Sequence, residues 1–380
     1  MDKMLRVAIV GCGKIADAHV AQIQRIEGTK IVAICDREPL MAKQLWERFP
    51  VESYFGDAEE MVHKACPDVV HITTSPSSHY SLARLFLEKG CHVYVEKPFT
   101  LCAEEADTLI RLADANHRKL TVGHNEQFSH VARRMREIVS NGYLGDNPVH
   151  MESYFGYDLG DPSYARALLD DRQHWVRKLP GKLLQNIISH GIARIAEFLT
   201  AESPRVLALG FVSPLLKRLG ENELIDELRV IIAEDSGATA YFTFSSQMRP
   251  ALHEFRIYGS RNGLVLDQDH EILLRLRGNK YKSYADKFIP PLQFARQHLA
   301  AAGTNMQLFL RRDFHMESGM KFLIEEFYRC IINDTTVPIP YSEILRTARI
   351  MDMIFDQVRY ASQGHRTETG QAELADAIST

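Results

Sequence analysis

A glycine-rich turn between an apolar run and a helical pattern is the feature that most limits how this chain can fold. Leu5 to Val10 is apolar enough for a buried parallel strand, and Gly11-Cys12-Gly13-Lys14-Ile15-Ala16 follows at once. In such a unit the first glycine permits the tight turn, the second lets a ligand approach the backbone, and a small third residue lets the helix pack closely. The helix N-terminus then offers amide donors to a pyrophosphate. With these flanks the motif predicts a dinucleotide site at Gly11 to Ile15, and a glycine-rich turn without a ligand is the weaker alternative.

The same alternation of strands and helices continues through the first third of the chain. Further strands are expected at Thr29–Cys35, Val69–Thr73, Cys91–Val95 and Leu120–Val122, and helices at Pro39–Phe49, Asp57–Ala65, Tyr80–Lys89 and Ala103–His117. Elements of this length in this order predict a doubly wound parallel sheet, the Rossmann arrangement.

Polar residues follow several of these strands at their carboxyl ends, where ligands bind in open α/β sheets. Asp36 comes directly after Cys35, at roughly the spacing of the acid that accepts the ribose hydroxyls of NAD. A carboxylate there repels the extra phosphate of NADP, whereas the neighbouring Arg37 could bind that phosphate instead. A helix N-cap before Pro39 is the alternative role for Asp36. We therefore expect NAD as the cofactor, with NADP as the alternative.

The run Val93-Tyr94-Val95-Glu96-Lys97-Pro98 ends a second strand at the same edge. Pro98 cannot continue a sheet ladder and restricts Lys97 to an extended geometry. A cation therefore lies at the carboxyl end of a buried strand. An ordinary solvated lysine at a strand end is the alternative interpretation.

Composition limits the class of protein more than it defines the function. The 380 residues suit about two domains, and 45% hydrophobic with 25% charged residues is typical of a soluble globular chain. The net charge of -4 shows no basic excess, so we expect neither a nucleic-acid partner nor a membrane partner. The six cysteines form no C-x-x-C pair and no zinc spacing, so we expect no metal site and a reducing, cytoplasmic location. We expect no signal peptide and no membrane-spanning segment.

With these pieces in place, the chain resembles the glucose-fructose oxidoreductase / inositol dehydrogenase / MocA family of NAD(P)-dependent oxidoreductases. The matching pieces are Gly11-x-Gly13-x-x-Ala16, Asp36, Thr74-Ser75-Pro76-x-x-His79, Glu96-Lys97-Pro98 and Gly123-His124-Asn125. The family usually has proline where Ser75 stands. The resemblance implies a cis peptide before Pro98 and a Lys97 that reaches both the nicotinamide ribose and a substrate hydroxyl. It also implies cofactor contacts from Thr74, Ser75, His79, Glu96 and Asn125.

Beyond residue 125 the pattern changes to strands joined by hairpins. Strands are expected at Val149–Tyr157, Arg229–Ala233, Ala238–Phe244, His253–Tyr258 and Gly263–Leu266. We expect a dinucleotide-binding domain at 1–125, an α+β substrate-binding and oligomerisation domain at 126–361, and a frayed polar tail at 362–380. By resemblance, the second domain is an open, mostly antiparallel sheet flanked by helices. One face covers the active site, and the other pairs subunits into a homo-oligomer, a dimer or tetramer.

A second group of polar residues lies on the helix predicted for Lys182 to Leu199. Asn186, His190 and Arg194 are four residues apart and form a row beside an apolar stripe, as on a helix that lines a cleft. A solvated helix face is the alternative. The family usually shows G-G-x-L-x-D-x-G-x-H here, and the resemblance makes His190 the catalytic base. Asn186 stands at the usual aspartate, and it can orient a hydroxyl but cannot raise the basicity of a histidine by charge.

Three further stretches leave alternatives open. His124 is either a structural histidine or a ligand contact, and Gln127 stands where the family often has arginine. The segment Asp158 to Arg177 is rich in Asp, Arg and Tyr, and it either clamps a sugar or diphosphate or forms a surface loop. The segment Arg275 to Ser318 contains a predicted helix around Gln293 to Ala302, and it is a lid, an oligomer contact or a partner site.

Together these observations predict an enzyme that oxidises a secondary alcohol with NAD(P). By resemblance, the substrate is a carbohydrate-like small molecule, namely a sugar, a polyol or a nucleotide sugar, and Lys97, His190 and Asn186 are the catalytic residues. A non-catalytic NAD-binding sugar sensor or regulator is the alternative, favoured by Asn186 and the long segment after Arg275. A glycosidase that uses NAD transiently is a third interpretation.

Overall fold

Two separate β-sheets make up the fold, which confirms the predicted fold class. The computed structural model describes residues 4–157, 159, 168–278, 281–314 and 317–378, with side chains described as far as residue 359. Among these residues no helix has the length and apolar character needed to cross a bilayer.

The first sheet is fully parallel and follows the strand order β3-β2-β1-β4-β5-β6. Its strands are β1 (Leu5–Val10), β2 (Thr29–Cys35), β3 (Ser53–Phe55), β4 (Val69–Ile72), β5 (His92–Val95) and β6 (Leu120–Val122). The helices between them are α1 (Lys14–Ile23), α2 (Pro39–Arg48), α3 (Ala58–Ala65), α4 (His79–Glu88) and α5 (Ala103–Ala115). The strand order reverses between β1 and β4, and a crevice at that point is the usual ligand site of such sheets.

The second sheet has the order β13-β12-β11-β7-β10-β9-β8 and is antiparallel except where β7 pairs with β10. Its strands are β7 (His150–Gly156), β8 (Arg205–Phe211), β9 (Glu227–Ala233), β10 (Thr239–Ser245), β11 (His253–Tyr258), β12 (Asn262–Asp267) and β13 (Ile272–Arg277). The helices of this half are α6 (His130–Ser140), α7 (Lys182–Ile187), α8 (Ser189–Ala196), α9 (Pro214–Arg218), α10 (Ala285–Leu310), α11 (Ser318–Ile332) and α12 (Tyr341–Ile378).

The two halves share helices near the end of the chain. Leu323, Ile324 and Phe327 of α11 are fully buried in the core of the first sheet. On α12, Ile344 joins that same core, whereas Ile354 joins the core of the second sheet. The boundary predicted at residue 125 therefore separates the sheets but not the helices that pack on them.

Several elements differ from their predicted bounds. The single helix predicted for 182–199 is divided into α7 and α8 at Ile188, although its apolar stripe is buried as expected. Strands β3, β8 and β13 were not predicted, and α10 is much longer than the helix expected around 293–302. The last helix continues to Ile378, through most of the segment expected to be frayed.

Candidate active site

The turn after β1 has a backbone that favours glycine. Gly11 has a φ of 97°, and a Cβ there would lie 2.6 Å from the backbone nitrogen of Thr74. Gly13 is the N-cap of α1 and makes no side-chain cap hydrogen bond, and a Cβ at Gly13 would meet nothing within 4 Å. Ala16 is fully buried, so α1 packs directly on the sheet. An uncapped helix N-terminus beside open space fits the pyrophosphate of a dinucleotide.

Asp36, at the end of β2, holds this turn in place. Its Oδ2 accepts a hydrogen bond from Cys12 N at 2.8 Å, and its Oδ1 accepts one from Glu38 N at 2.9 Å. The N-cap of α2 is Glu38, so Asp36 contacts the cap residue rather than being the cap. Arg37 beside it is exposed. The carboxylate therefore lies next to the glycine turn, where the ribose of a dinucleotide bound on that turn would be expected.

The turn after β4 is held from behind by a buried histidine. His79 Nδ1 lies 2.8 Å from the carbonyl oxygen of Pro98, and its Nε2 lies 3.1 Å from the carbonyl oxygen of Thr74. Both ring nitrogens thus face backbone, whereas Thr74 is half-buried and Ser75 is exposed at the sheet edge. This geometry suits a His79 that positions the two turns, with Thr74 and Ser75 nearer to a ligand.

Lys97 reaches from the first sheet to the second half of the molecule. The peptide before Pro98 is cis, as the resemblance implies. The Nζ of Lys97 donates to the backbone oxygen of Asn186 on α7 at 3.0 Å. Burial lowers the pKa of Lys97 below its ordinary value, although the carboxylates of Glu96 and Glu126 raise it. The lysine therefore lies between two carboxylates at the place where the two halves meet.

Behind Lys97, a buried chain of hydrogen bonds runs through the first domain. Glu96 Oε1 lies 2.9 Å from His19 Nε2, His19 Nδ1 lies 2.9 Å from His71 Nδ1, and His71 Nε2 lies 2.7 Å from the Tyr328 hydroxyl. All four side chains are buried. The other oxygen of Glu96 accepts from the backbone nitrogen of Lys97 at 3.0 Å. The chain thus joins α1, β4 and α11 to the carboxyl end of β5.

The protonation of these four groups determines which atom donates in each hydrogen bond of the chain. Burial raises the pKa of Glu96, but the His19 hydrogen bond and the Lys97 cation outweigh it and hold the pKa below its ordinary value. An ionised Glu96 only accepts, so His19 donates from Nε2, and in its neutral form it accepts at Nδ1. With that tautomer, a neutral His71 donates from Nδ1, and Tyr328 donates to its Nε2. All the donors point toward Glu96, which fixes the carboxylate behind Lys97.

His190 lies on α8, near enough to Lys97 for the lysine cation to act on its pKa. Its side chain is 11% exposed, its Nε2 lies 4.0 Å from Glu126 Oε1, and its ring centroid lies 6.0 Å from that of His124. Burial and the Lys97 cation lower the pKa of His190 below its ordinary value, whereas Glu126 raises it. The Nδ1 atom of His190 is buried and has no hydrogen-bond partner among the described residues. The structure therefore brings Lys97, Asn186 and His190 near one another, and burial favours the neutral form of His190.

Two residues near Lys97, Glu126 and His19, were not singled out from the sequence. Glu126 directly follows Gly123-His124-Asn125, its carboxylate lies 4.0 Å from His190 Nε2, and its charge raises the pKa of both Lys97 and His190. Asn125 is half-buried at the same edge. His19 lies three residues after Ala16 on the first helix, one turn beyond the glycine motif. An acid directly after the last strand was the available indication for Glu126, whereas the His19 contact depends on long-range packing.

Gln127, the residue where an arginine is common in similar chains, lies in a buried carboxylate cluster. Its Nε2 lies 2.7 Å from Glu343 Oε1 and 3.1 Å from Glu197 Oε2, and Arg136 Nε donates to Glu197 Oε1 at 2.5 Å. Burial, together with the neighbouring Glu197 carboxylate, raises the pKa of Glu343 to about 7. Arg136 is the cation paired directly with this cluster.

The segment expected to clamp a sugar is only partly described. Residues 158 and 160–167 lie outside the described residues, so that prediction is not tested there. Arg177 forms an ion pair with Glu221 at 2.6 Å and donates to the backbone oxygen of Leu168. This arginine is therefore committed to holding its own loop, whereas Trp175 nearby is 40% exposed.

Two models of one protein family match this chain. "Oxidoreductase family, NAD-binding Rossmann fold" matches residues 5–124, and "GFO/IDH/MocA C-terminal domain" matches residues 132–265. The first third of the chain is accordingly an NAD-binding Rossmann domain of the oxidoreductase class. The chain belongs to the Gfo/Idh/MocA family of oxidoreductases.

Relatives and solved structures agree with this assignment. The chain is 33% identical to D-glucoside 3-dehydrogenase of Escherichia coli over 37% of this chain and 41% of that protein. It is 23% identical to myo-inositol 2-dehydrogenase of Thermotoga maritima over 76% and 86% of the two chains. The structure of the WlbA dehydrogenase from Bordetella pertussis, in complex with NADH and UDP-GlcNAcA, matches with a TM-score of 0.75 and 15% identity over 95% and 97%. The chain spans about half the length of the first curated relatives it matches.

Proposed function

We propose that this chain is an NAD-dependent dehydrogenase that transfers a hydride between a secondary alcohol of a sugar, polyol or nucleotide sugar and the nicotinamide. The observation that carries this proposal is the 3.0 Å contact from Lys97 Nζ to the backbone oxygen of Asn186. Asn186 lies four residues before His190, and the Lys97 cation also acts on the pKa of His190, which supports a shared role for the cation and the imidazole. Bound NAD supplies the hydride acceptor, C4 of the nicotinamide.

Five groups near Lys97 and His190 have roles in the proposed reaction. A neutral His190 accepts the hydroxyl proton, and the Glu126 carboxylate then stabilises the imidazolium. The Lys97 ammonium stabilises the developing alkoxide, and Glu96, fixed by His19, keeps that ammonium in place. Lys97 is the alternative proton acceptor, since burial lowers its pKa. Asn186 orients the substrate hydroxyl.

The Glu126 carboxylate offsets the loss of the usual aspartate at Asn186. Glu126 Oε1 lies 4.0 Å from His190 Nε2, so a negative charge still faces the imidazole from a different element. With Asn186 in place of the usual aspartate, a carboxylate therefore still lies beside His190, but it comes from Glu126. This arrangement favours an enzyme over a non-catalytic sensor.

The substrate class is supported by the relatives rather than by the geometry. The named relatives act on a glucoside and an inositol, and the WlbA structure contains a nucleotide sugar. All three are carbohydrate alcohols. We accordingly propose a carbohydrate-like substrate for this chain.

Turnover with a panel of inositols, aldoses and nucleotide sugars, followed at the NADH absorbance band, tests the proposal. We expect turnover with at least one compound and its loss in both Lys97→Met and His190→Ala. The exposed residues Lys43 and His63 provide matched controls, because Lys43→Met and His63→Ala leave the cleft intact. Tight NADH binding without turnover on any alcohol would identify a sensor. Release of a glycosyl group without net NADH would identify the NAD-assisted glycosidase.

A further inference from the structure

Helix α10 attaches to the second sheet through polar side chains. Gln297 bonds both backbone groups of Arg275 on the edge strand β13, accepting from its nitrogen at 2.7 Å and donating to its oxygen at 3.3 Å. Asn305 donates to the backbone oxygen of His270 at 2.9 Å, and Gln293 donates to the Tyr281 hydroxyl at 2.6 Å. The polar face of this helix therefore points toward the protein, the reverse of an ordinary surface helix.

The opposite face of α10 is apolar and open. Large side chains recur there at intervals of four and seven residues, which places them on one side of a helix. They are between 59% and 78% exposed, and they comprise Tyr284 just before the helix, then Phe288, Leu292, Leu299, Met306 and Leu310. None of the described α10 residues is buried. A stripe of this length on a 26-residue helix indicates a surface that something covers.

The exposed charges around this stripe are positive. Lys282 and Lys287 lie at one end and Arg311 and Arg312 at the other, and all four are exposed. Arg296 is also exposed and lies about a quarter-turn from the stripe.

The two acids of this segment already have partners within the chain. Asp286 accepts from the backbone nitrogen of Tyr281 at 3.0 Å, and Asp313 lies 3.4 Å from His130 Nε2. The net charge of -4 for the whole chain hides this local excess of cations. A second copy of the helix paired in the antiparallel sense would bring the two cationic ends together, whereas an anionic surface would attract both.

We propose that α10 docks on an anionic lipid bilayer and lies in the plane of the headgroups. Its apolar stripe would insert at the boundary of the acyl chains, while the flanking lysines and arginines contact lipid phosphates. The helix binds the surface without crossing it. This inference goes beyond the proposed function and does not depend on it, and it revises the absence of a membrane partner expected from the overall charge.

Co-sedimentation of the full chain with vesicles tests this inference. We expect binding to vesicles of equimolar phosphatidylcholine and phosphatidylglycerol, and at least about tenfold weaker binding to phosphatidylcholine alone or at high salt. The double variant Leu292→Asp, Leu299→Asp should also lose about tenfold or more, since both changes put a charge in the stripe. Leu219→Asp is the matched control, because Leu219 is 62% exposed at a distant loop. NADH binding and thermal midpoint verify that each variant is folded.

Two results would overturn the inference. One is equal, weak sedimentation of the chain with both kinds of vesicle. The other is a double variant that binds anionic vesicles as well as the parent protein does. If analytical ultracentrifugation shows instead that the double variant dissociates a larger assembly, while vesicles bind neither protein, the stripe is an interface between copies of this chain.

Discussion

At the scale of single residues, a substitution at Asp36 can separate an observed contact from a proposed role. The carboxylate holds the glycine turn through Cys12 N, and we propose that its negative charge also disfavours the extra phosphate of NADP. Asp36→Asn keeps an oxygen acceptor for Cys12 N but removes the charge. We expect the ratio of the NADP to the NAD dissociation constant, measured by fluorescence titration, to fall by about tenfold.

Asp36→Ala is the comparison for this experiment. It removes the acceptor as well as the charge, so it should weaken the binding of both cofactors. Tighter binding of NADP than NAD to the parent protein would refute the assigned role of Asp36.

In the proposed reaction, the carboxylate of Glu126 influences the acid limb of the pH profile. With His190 as the base, alcohol oxidation needs a neutral imidazole, so we expect kcat/KM to fall as pH drops through the pKa of this residue. Glu126 raises that pKa, and Glu126→Gln should therefore move the acid limb to lower pH by about half a unit to one unit. The turnover number near neutral pH should fall as well, because the imidazolium loses its counter-charge. An acid limb that stays in place, or moves upward, would separate Glu126 from the proton transfer, and Glu137→Gln on the exposed face of α6 is the control.

The buried chain ending at Tyr328 offers a matched pair of tyrosines. Tyr328→Phe removes the donor to His71 Nε2 and leaves that acceptor unpaired, so it should lower the free energy of unfolding by about 1–2 kcal/mol. Tyr94 is also fully buried and stacks on His71, but its hydroxyl has no hydrogen-bond partner among the described residues. Tyr94→Phe should therefore cost nothing measurable. Equal losses for the two variants in denaturant unfolding would contradict the hydrogen-bonded chain.

At the scale of elements, the sequence was most informative where pattern and turn chemistry agreed. Strand β2 has the predicted bounds, and Asp57 caps α3 through a bond from Glu60 N. Strand β8 was missed because it shows no polar alternation, with Leu207 and Leu209 exposed on its outer face. The break at Ile188 was missed because periodicity continues across it. Helix α10 was missed in part because Pro290 and Pro291, normally helix breakers, lie inside it.

The buried carboxylate cluster around Gln127 should make the free energy of unfolding depend on pH. Burial and Glu197 raise the folded-state pKa of Glu343 to about 7, above its ordinary 4.5. The folded protein therefore binds more protons than the unfolded chain between pH 4.5 and 7, and stability from this group is lost as pH rises through that window. Glu343→Gln cannot ionise. The free energy of unfolding of this variant, taken relative to that of the parent, should therefore be about 1–2 kcal/mol higher at pH 8 than at pH 5.

Thermal or denaturant unfolding at the two pH values measures this difference. The exposed Glu59→Gln should show no pH-dependent change relative to the parent. A Glu343→Gln variant with the same relative stability at both pH values would show that Glu343 is already ionised in the folded protein.

At the scale of the whole molecule, the architecture was predictable but the contacts between distant segments were not. The glycine turn, the acid after β2 and the lysine before Pro98 are local motifs, and the structure places them together at one sheet edge. The contacts of His19 with His71, and of His71 with Tyr328, join residues 52 and 257 positions apart. No local pattern encodes such pairs. The packing of α11 in the first core could not be predicted for the same reason, because its apolar pattern does not indicate which of the two sheets it packs on.

In the proposed reaction, Lys97 and His190 act on one hydroxyl beside one bound nicotinamide. A crystal structure of the chain with NADH and a substrate found in the turnover panel measures this directly. We expect Lys97 Nζ and a ring nitrogen of His190 both within hydrogen-bond distance of the same substrate oxygen, with its carbon facing C4 of the nicotinamide. A complex in which the two side chains lie on opposite sides of the nicotinamide, or contact different ligands, would contradict the account.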